Sequence, residues 1–406
     1  MKKVDVVKPK TSEDISAIVK CAINENKVII PMGGDSWIYG GVVPDNGIVL
    51  DLRTMDSILE IDKENLKVTV EAGMNWEGVC DALSKKGFMV GSYPTNASSA
   101  TVGGWINTGG YGIGSYKYGG IGEQIRSLEV VLPNGKIINT GFKDVVSNSS
   151  GYNLNGMFVG AEGTLGIISK ASLKIYPKED LRALSYSYSD MSRLFEAIYL
   201  ISRSKIVPLN ISFADKNHYD FIRSSGIDAP EGPMLNVALK GPQEMMDYEE
   251  KIIDQLSGSG KKESKEVSNQ EWDSRYNGGG SDNLSSAVMG EAFAPIPHLI
   301  EMIGGIYEIT EKMKLKASVN GTVVDRNTVL LMPYYLTNDD ELLRRATCMA
   351  FMKKVDELGA EYGGGAVMGV YHAFSEKKSQ GEDTSAMQDI KAVFDPLNIM
   401  NPLRSP

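Results

Sequence analysis

Cysteine is nearly absent from this sequence, and so is any stretch built to cross a membrane. Cys21, Cys80 and Cys348 lie far apart without a C-x-x-C pair, which excludes a zinc ribbon or an iron–sulfur cluster carried by the chain itself. Reduced and mostly buried thiols are expected. No run of 18 apolar residues occurs, and the first residues lack the apolar core of a signal peptide, so a soluble cytoplasmic protein is expected. Positive charge is scarce too: 42 Lys and Arg against 52 Asp and Glu give a net charge of −10, leaving no broad basic face for nucleic acid.

The familiar nucleotide motifs are also missing. There is no G-x-x-x-x-G-K-[ST], and no G-x-G-x-x-G follows the first strand to open a helix, which argues against a P-loop or a Rossmann site. What the chain has in quantity is glycine. Its 43 glycines cluster between Gly91 and Gly166, where backbone must adopt positive φ or approach a ligand closely. Together with the stretch near residue 33 they make three glycine-rich segments, Pro31–Gly41, Thr95–Gly122 and Gly160–Ile168. Three backbone cradles suit one long ligand.

The length of 406 residues suits two or three domains. Thr11 or Ser12 caps a first helix with Ile15, Ile18, Cys21 and Ala22 on one face. Strands follow at Lys27–Ile30, Gly47–Leu52 and Lys67–Gly73, and a helix spans Asn75–Gly87. Tyr93–Gly122 reads as a long ordered loop, a kind usually functional. A hairpin turns at Pro133-Asn134-Gly135, and a strand runs from Gly166 to Tyr176. Beyond Pro177 longer helices alternate with strands, which marks a second, layered domain of ferredoxin-like type. Its expected strands include Ala287–Phe293, Lys316–Asn320 and Thr328–Tyr334. Ser257–Lys265 reads as a flexible surface loop, and no internal repeat is evident.

Several segments, in order, match one family's motifs: Pro31-Met-Gly-Gly-Asp-Ser-Trp37, Val68-Thr-Val-Glu-Ala-Gly73, Thr101-Val-Gly-Gly104, Asn107-Thr-Gly-Gly110, Tyr118-Gly119, Gly151-Tyr-Asn-Leu154, Gly160-Ala-Glu-Gly-Thr-Leu-Gly-Ile-Ile-Ser169 and Asp395-Pro-Leu-Asn-Ile-Met-Asn-Pro402. With these the chain resembles the flavoproteins related to vanillyl-alcohol oxidase and p-cresol methylhydroxylase, in their glycolate oxidase and D-lactate dehydrogenase branch. The resemblance implies an α+β protein. A PCMH-type FAD-binding domain of two α/β subdomains would occupy residues 1–180, and a ferredoxin-like α+β cap residues 181–380. A C-terminal segment, 381–406, would return to the FAD domain. The implied cofactor-binding residues are Pro31, Met32, Gly33, Gly34, Asp35, Ser36, Thr101, Gly103, Gly104, Asn107, Gly110, Tyr118, Gly119, Glu162, Gly163, Gly166, Ile168 and Asn401. Amides of Gly33, Gly34, Asp35 and Ser36 would meet the FAD diphosphate. Covalent members carry a histidine where this chain has Asp35, so non-covalent FAD is expected.

The second half departs from the family. Its H-x-G-D-G-N-x-H, a metal and substrate motif, corresponds to Ser318-Val-Asn-Gly-Thr-Val-Val-Asp325, with both histidines missing. Its G-E-H-G-x-G corresponds to Gly369-Val-Tyr-His-Ala-Phe374, without the glutamate, so no metal is expected. His372 remains as a candidate base, Tyr371 as a hydrogen-bond donor and Arg275 as a fork for a substrate carboxylate. Ordinary structural roles for all three stay open, as they do for Tyr334 and Tyr335, which would either line the pocket or alternate between core and surface. His218 and His298 read as surface residues. The resemblance thus implies an FAD-dependent dehydrogenase or oxidase acting on the CH–OH of a small hydroxylated substrate, namely a 2-hydroxy acid, an aldonate or a polyol. The alternative is a non-catalytic or electron-relaying flavin subunit of a larger complex. The electron acceptor is left open, a separate iron–sulfur or electron-transfer protein among the candidates.

Overall fold

Helix α1 (Ser12–Glu25) is fixed by its ends. The Thr11 hydroxyl accepts the Asp14 amide at 3.1 Å, the Asp14 carboxylate accepts the Thr11 amide at 3.1 Å, and Asn26 closes the helix with φ of 54°. Its buried stripe is Ile15, Val19 and Ala22, while Cys21 faces solvent. Of the three free thiols only Cys348 is buried, against the expectation for the set, because helix phase rather than residue type decides which side chains turn inward. The computed structural model describes residues 4–34, 47–142, 144–145, 150–275, 287–337, 341–366 and 384–402.

Two sheets form the first half. β1 (Asp5–Val7), β2 (Val28–Met32) and β3 (Gly47–Asp51) are parallel in the order β1-β3-β2. β4 (Ile58–Asp62), β5 (Lys67–Glu71), β6 (Phe88–Val90), β7 (Ile125–Val131), β8 (Ile137–Asn139) and β9 (Ile167–Pro177) form an antiparallel sheet, with β9 central. Helix α2 (Trp76–Ser84) packs Trp76 edge-on against Trp105 at 5.0 Å. Residues 93–122 are more ordered than a loop. They contain the short helices α3 (Val102–Asn107), α4 (Ser115–Tyr118) and α5 (Ile121–Gln124). Thr101 caps α3 and lets it form despite Gly103 and Gly104. A short α6 (Leu154–Phe158) precedes β9.

The second half is one nine-stranded antiparallel sheet. Its elements run β10 (Leu181–Ser187), α7 (Met191–Arg203), β11 (Asn210–Ala214), α8 (Lys216–Ser224), β12 (Met234–Lys240), α9 (Gln243–Leu256), β13 (Lys261–Lys262), α10 (Lys265–Ser274), β14 (Ala287–Met289), β15 (Ala292–Pro295), α11 (Leu299–Lys312), β16 (Ala317–Val323), β17 (Thr328–Leu336), α12 (Glu341–Glu361) and β18 (Gly365–Ala366). The strand order β13-β10-β12-β11-β16-β17-β15-β18 contains a repeat that the sequence did not reveal. β10-α7-β11-β12-α9-β13, with α8 inserted between β11 and β12, and β15-α11-β16-β17-α12-β18 are each a β-α-β-β-α-β unit, joined by antiparallel pairing of β11 with β16. The ferredoxin-like expectation therefore holds twice over. Residues 257–265 are not the expected free loop, since Lys261 and Lys262 pair with Ser187 and Tyr186 and close the first unit.

Strand alternation gives this sheet two different faces. Val319, Val323, Leu331 and Tyr335 join a core with α7, α9, α11 and α12. Ser318, Asn320 and Thr322 stand on the other face of β16, opposite Tyr334, Met332 and Leu330 on β17. Tyr334 and Tyr335 are thus both buried, one on each face, rather than core and surface. His218 is buried too, contrary to its reading as a surface residue: the α8 helix lays it on the polar face, with Nδ1 2.8 Å from the Tyr334 hydroxyl. Burial lowers its pKa to about 4 and keeps the ring neutral. His298 is exposed, as expected.

Asp215 ties α8 to this face. Its buried carboxylate accepts from the His218 amide at 2.8 Å, the Tyr307 hydroxyl at 2.5 Å, the Ser318 hydroxyl at 2.9 Å and the Val319 amide at 2.8 Å. Desolvation raises its pKa, an effect these four donors oppose. Among the described residues, no helix is long and apolar enough to cross a membrane. The Asp215→Ala variant removes the cap of α8 and orphans buried donors, so it is predicted to lose about 3 kcal/mol of stability in denaturant unfolding. A loss below about 1 kcal/mol would contradict the assignment of Asp215 as the organising acceptor.

Candidate cofactor and substrate site

The three glycine-rich segments meet at one place because their glycines remove the atoms that would hold them apart. A Cβ on Gly33 would lie 2.4 Å from the Thr101 hydroxyl oxygen, and one on Gly34 would lie 1.8 Å from the Ser99 carbonyl oxygen. First and second segments therefore touch backbone to backbone. A Cβ on Gly163, where φ is already 74°, would fall 2.4 Å from the Pro31 ring, so the third segment closes on the first in the same way.

Side-chain amides then stitch the segments together. Asn107, at the end of α3, donates to the Gly103 carbonyl at 2.9 Å and accepts the Gly163 amide at 3.0 Å, while its carbonyl accepts the Glu162 amide at 2.9 Å. Asn401 donates to the Glu162 carbonyl at 2.7 Å, and its own amide donates to Ile29 at 2.8 Å. Glu162 and Asn401 both hold left-handed backbone, with φ of 48° and 42°, the kind of strain that concentrates where a surrounding structure over-determines a site.

The tail is anchored by a buried ion pair. Helix α13 (Thr384–Phe394) carries Lys391, whose ammonium pairs with Asp395 and donates to the carbonyls of Thr164 and Met400, each at 2.8 Å. Asp395 also accepts the amides of Ile399 at 3.1 Å and Met400 at 2.8 Å. Met400 bridges Ile29, covering the free edge of β2. Burial lowers the Lys391 pKa, an effect the Asp395 carboxylate opposes.

These segments wall a cavity of about 340 Å³, and the polar face of the large sheet closes it. Pro31, Gly33, Gly34, Thr101, Gly103, Gly104, Asn107, Gly110, Glu162, Gly163 and Asn401 line it, all of them expected binding residues. The opposite wall is Glu291, Phe293, Thr322, Leu330 and Met332. Tyr111 meets Phe293 edge-on at 5.4 Å and joins the two walls. Sequence reading missed this second wall. Its one available signal was the polar alternation of Ser318, Asn320 and Thr322 on a strand otherwise apolar.

Other expected residues fall elsewhere. Met32 ends β2 and does not line the cavity. Tyr118 packs on Tyr176 at 4.4 Å, Gly119 turns the chain with φ of 83°, and Gly166 and Ile168 pack into the first-half core. Arg275 lies outside the cavity wall, its guanidinium over the Trp272 ring at 3.8 Å. Asp35, Ser36, Tyr371 and His372 lie outside the described residues. Among the described residues, no group of three or more His, Cys, Asp or Glu is placed to hold a metal.

The arrangement fits a dinucleotide. The amides of Gly103, Gly104, Gly110 and Gly163 are bonded within the protein, whereas those of Gly33 and Gly34 have no acceptor among the described residues. Two adjacent free amides at a cavity wall are donors suited to a diphosphate, with no cation needed.

Comparison with known proteins agrees with this geometry. Residues 5–141 match the model of an FAD binding domain, and residues 178–404 match that of the FAD linked oxidases' C-terminal domain. The glycolate oxidase subunit GlcD of Bacillus subtilis is 30% identical over 98% of this chain and 87% of that protein. A D-lactate dehydrogenase of Archaeoglobus fulgidus is 37% identical over 52% of this chain and 47% of that protein. Substrate-bound p-cresol methylhydroxylase superposes with a TM-score of 0.81 at 18% identity, covering 98% of this chain and 88% of that one. The 4-ethylphenol oxidase of Gulosibacter chungangensis superposes equally well, at 15% identity and the same coverages. Fold, cavity and kinship converge: the chain belongs to the FAD-linked oxidases.

Proposed function

We propose that the chain oxidises the CH–OH group of a small hydroxylated substrate, a 2-hydroxy acid being the form its glycolate and D-lactate relatives favour. The carrying observation is that a single cavity has the flavin loops as one wall and the polar face of the second sheet as the other. Residues 1–180 would hold FAD non-covalently, residues 181–380 would cap it, and residues 381–406 would return to the first unit, all in a cytoplasmic enzyme. Gly33 and Gly34 would hold the diphosphate by their amides, and Asn107 and Asn401 would keep the loops in register around it. Bound FAD would supply the hydride acceptor. The chain's own task is then to place the carbinol carbon between the two walls and to exclude water. A second reading, an electron-relaying subunit, draws on the replacement of the family's histidines by Ser318 and its neighbours.

The purified protein is predicted to be yellow and to release its flavin on acid precipitation. Anaerobic D-lactate, glycolate or a polyol is predicted to bleach it. Binding of FAD to a colourless protein followed by no bleaching with any of these would favour the relay, and failure to take up FAD would contradict the proposal. Asn107→Ala is predicted to weaken FAD binding about 10- to 100-fold in a fluorescence titration, since it unties two loops and orphans the Gly163 amide.

A further inference from the structure

Glu291 is an acid with no assigned task at the centre of the second wall. It sits in the break between β14 and β15, just after Gly290, whose amide donates to Pro333 at 2.7 Å. Both strands pair with β17 in one continuous register, Met289 with Tyr334 and Ala292 with Leu331, which sets Glu291 opposite Met332. Strand alternation turns it to the same face as Phe293, the residue that meets Tyr111 of the flavin-side loop. The carboxylate therefore projects into the cavity one pleat from the contact that joins the walls, and it is among the cavity's lining residues.

We propose that Glu291 is the residue that takes the hydroxyl proton when the substrate's CH–OH is oxidised. This rests on the reading of the cavity as the flavin and substrate site. In the step, the O–H proton would pass to a Glu291 oxygen, the carbonyl π bond would form from the O–H electron pair, and the C–H pair would leave as hydride, for which bound FAD would supply the acceptor. Charge and electrons balance without a metal or a further reagent. A carboxylate serves this purpose when its proton affinity approaches neutrality.

The surroundings supply that affinity. The residue keeps some solvent contact, yet its carboxyl lies deep among protein atoms, and desolvation pushes its pKa up to about 7. Across the cavity the titratable lining groups are Tyr111 and Glu162, and on its own sheet Phe293, Thr322, Leu330 and Met332 carry no charge. Among the described residues Glu291 has no ion-pair partner.

The test compares wild type, Glu291→Gln, Glu291→Asp and His372→Asn, each loaded with FAD. Expected for E291Q are undiminished FAD uptake, flavin bleaching slowed at least about 100-fold, and loss of the acidic limb of the pH profile. E291D is expected to keep the limb at a reduced rate, and it decides the matter if E291Q does not fold. Infrared titration supplies a readout apart from turnover: wild type is expected to show a carboxyl titrating near pH 7 that E291Q lacks. Bleaching by E291Q at the wild-type rate, a limb that vanishes in H372N instead, or the absence of that carboxyl would each overturn the proposal. Wild type that takes up no FAD would overturn the parent reading and this one with it.

Discussion

Contact between glycines and foreign backbone is the constraint on which this structure depends. Gly34 against the Ser99 carbonyl and Gly163 against the Pro31 ring leave no room for a single methyl group. Close packing at these points brings three segments, from residues 31–34, 95–112 and 160–163, into one wall. The hydrogen bonds of Asn107 and Asn401 hold the segments at that spacing, with Gly33 and Gly34 at the cavity wall. The cradle needs no cation, which is consistent with an acidic chain that binds an anionic dinucleotide.

The other wall arises from a different rule. Two β-α-β-β-α-β units share one sheet, and α7, α9, α11 and α12 cover one of its faces whereas α8 and α10 lie over only part of the other. That second face must be satisfied by something. At one end α8 lays His218 and Asp215 across it, consuming the polar groups of Ser318, Asn320 and Tyr334 in a closed network. At the other end Glu291, Thr322 and Met332 are left to the cavity. The stretch from Ser318 to Thr322 thus divides here between a structural network and a site wall, with Thr322 on the wall.

Much of the first wall could be read from the sequence because glycine and asparagine in fixed order encode backbone geometry locally. Gly33, Gly104, Asn107, Gly163 and Asn401, which the motifs pick out, all line the cavity. Tyr118, Gly166 and Ile168 match the same motifs but serve turns and core, since a motif does not say which of its residues point outward. The second wall was unreadable for a physical reason. Glu291 belongs to no motif, and its place follows from pairing with β17, which lies beyond α11 and β16 in sequence. The duplication was hidden likewise, because the two units share an order of helices and strands without an evident repeat of sequence. His218 misled for want of its partners, Tyr334 and Asn320, more than 100 residues distant.

The central claim is that one ligand spans both walls. Hydrogen exchange of the protein with and without FAD addresses it directly. Protection on binding is predicted at Gly33 and Gly34, at residues 101–110 and 160–163, and also at residues 291–293 and 330–332 of the second sheet. Protection confined to the glycine loops, with the sheet face unchanged, would contradict the claim that the cofactor and the second half share a single site.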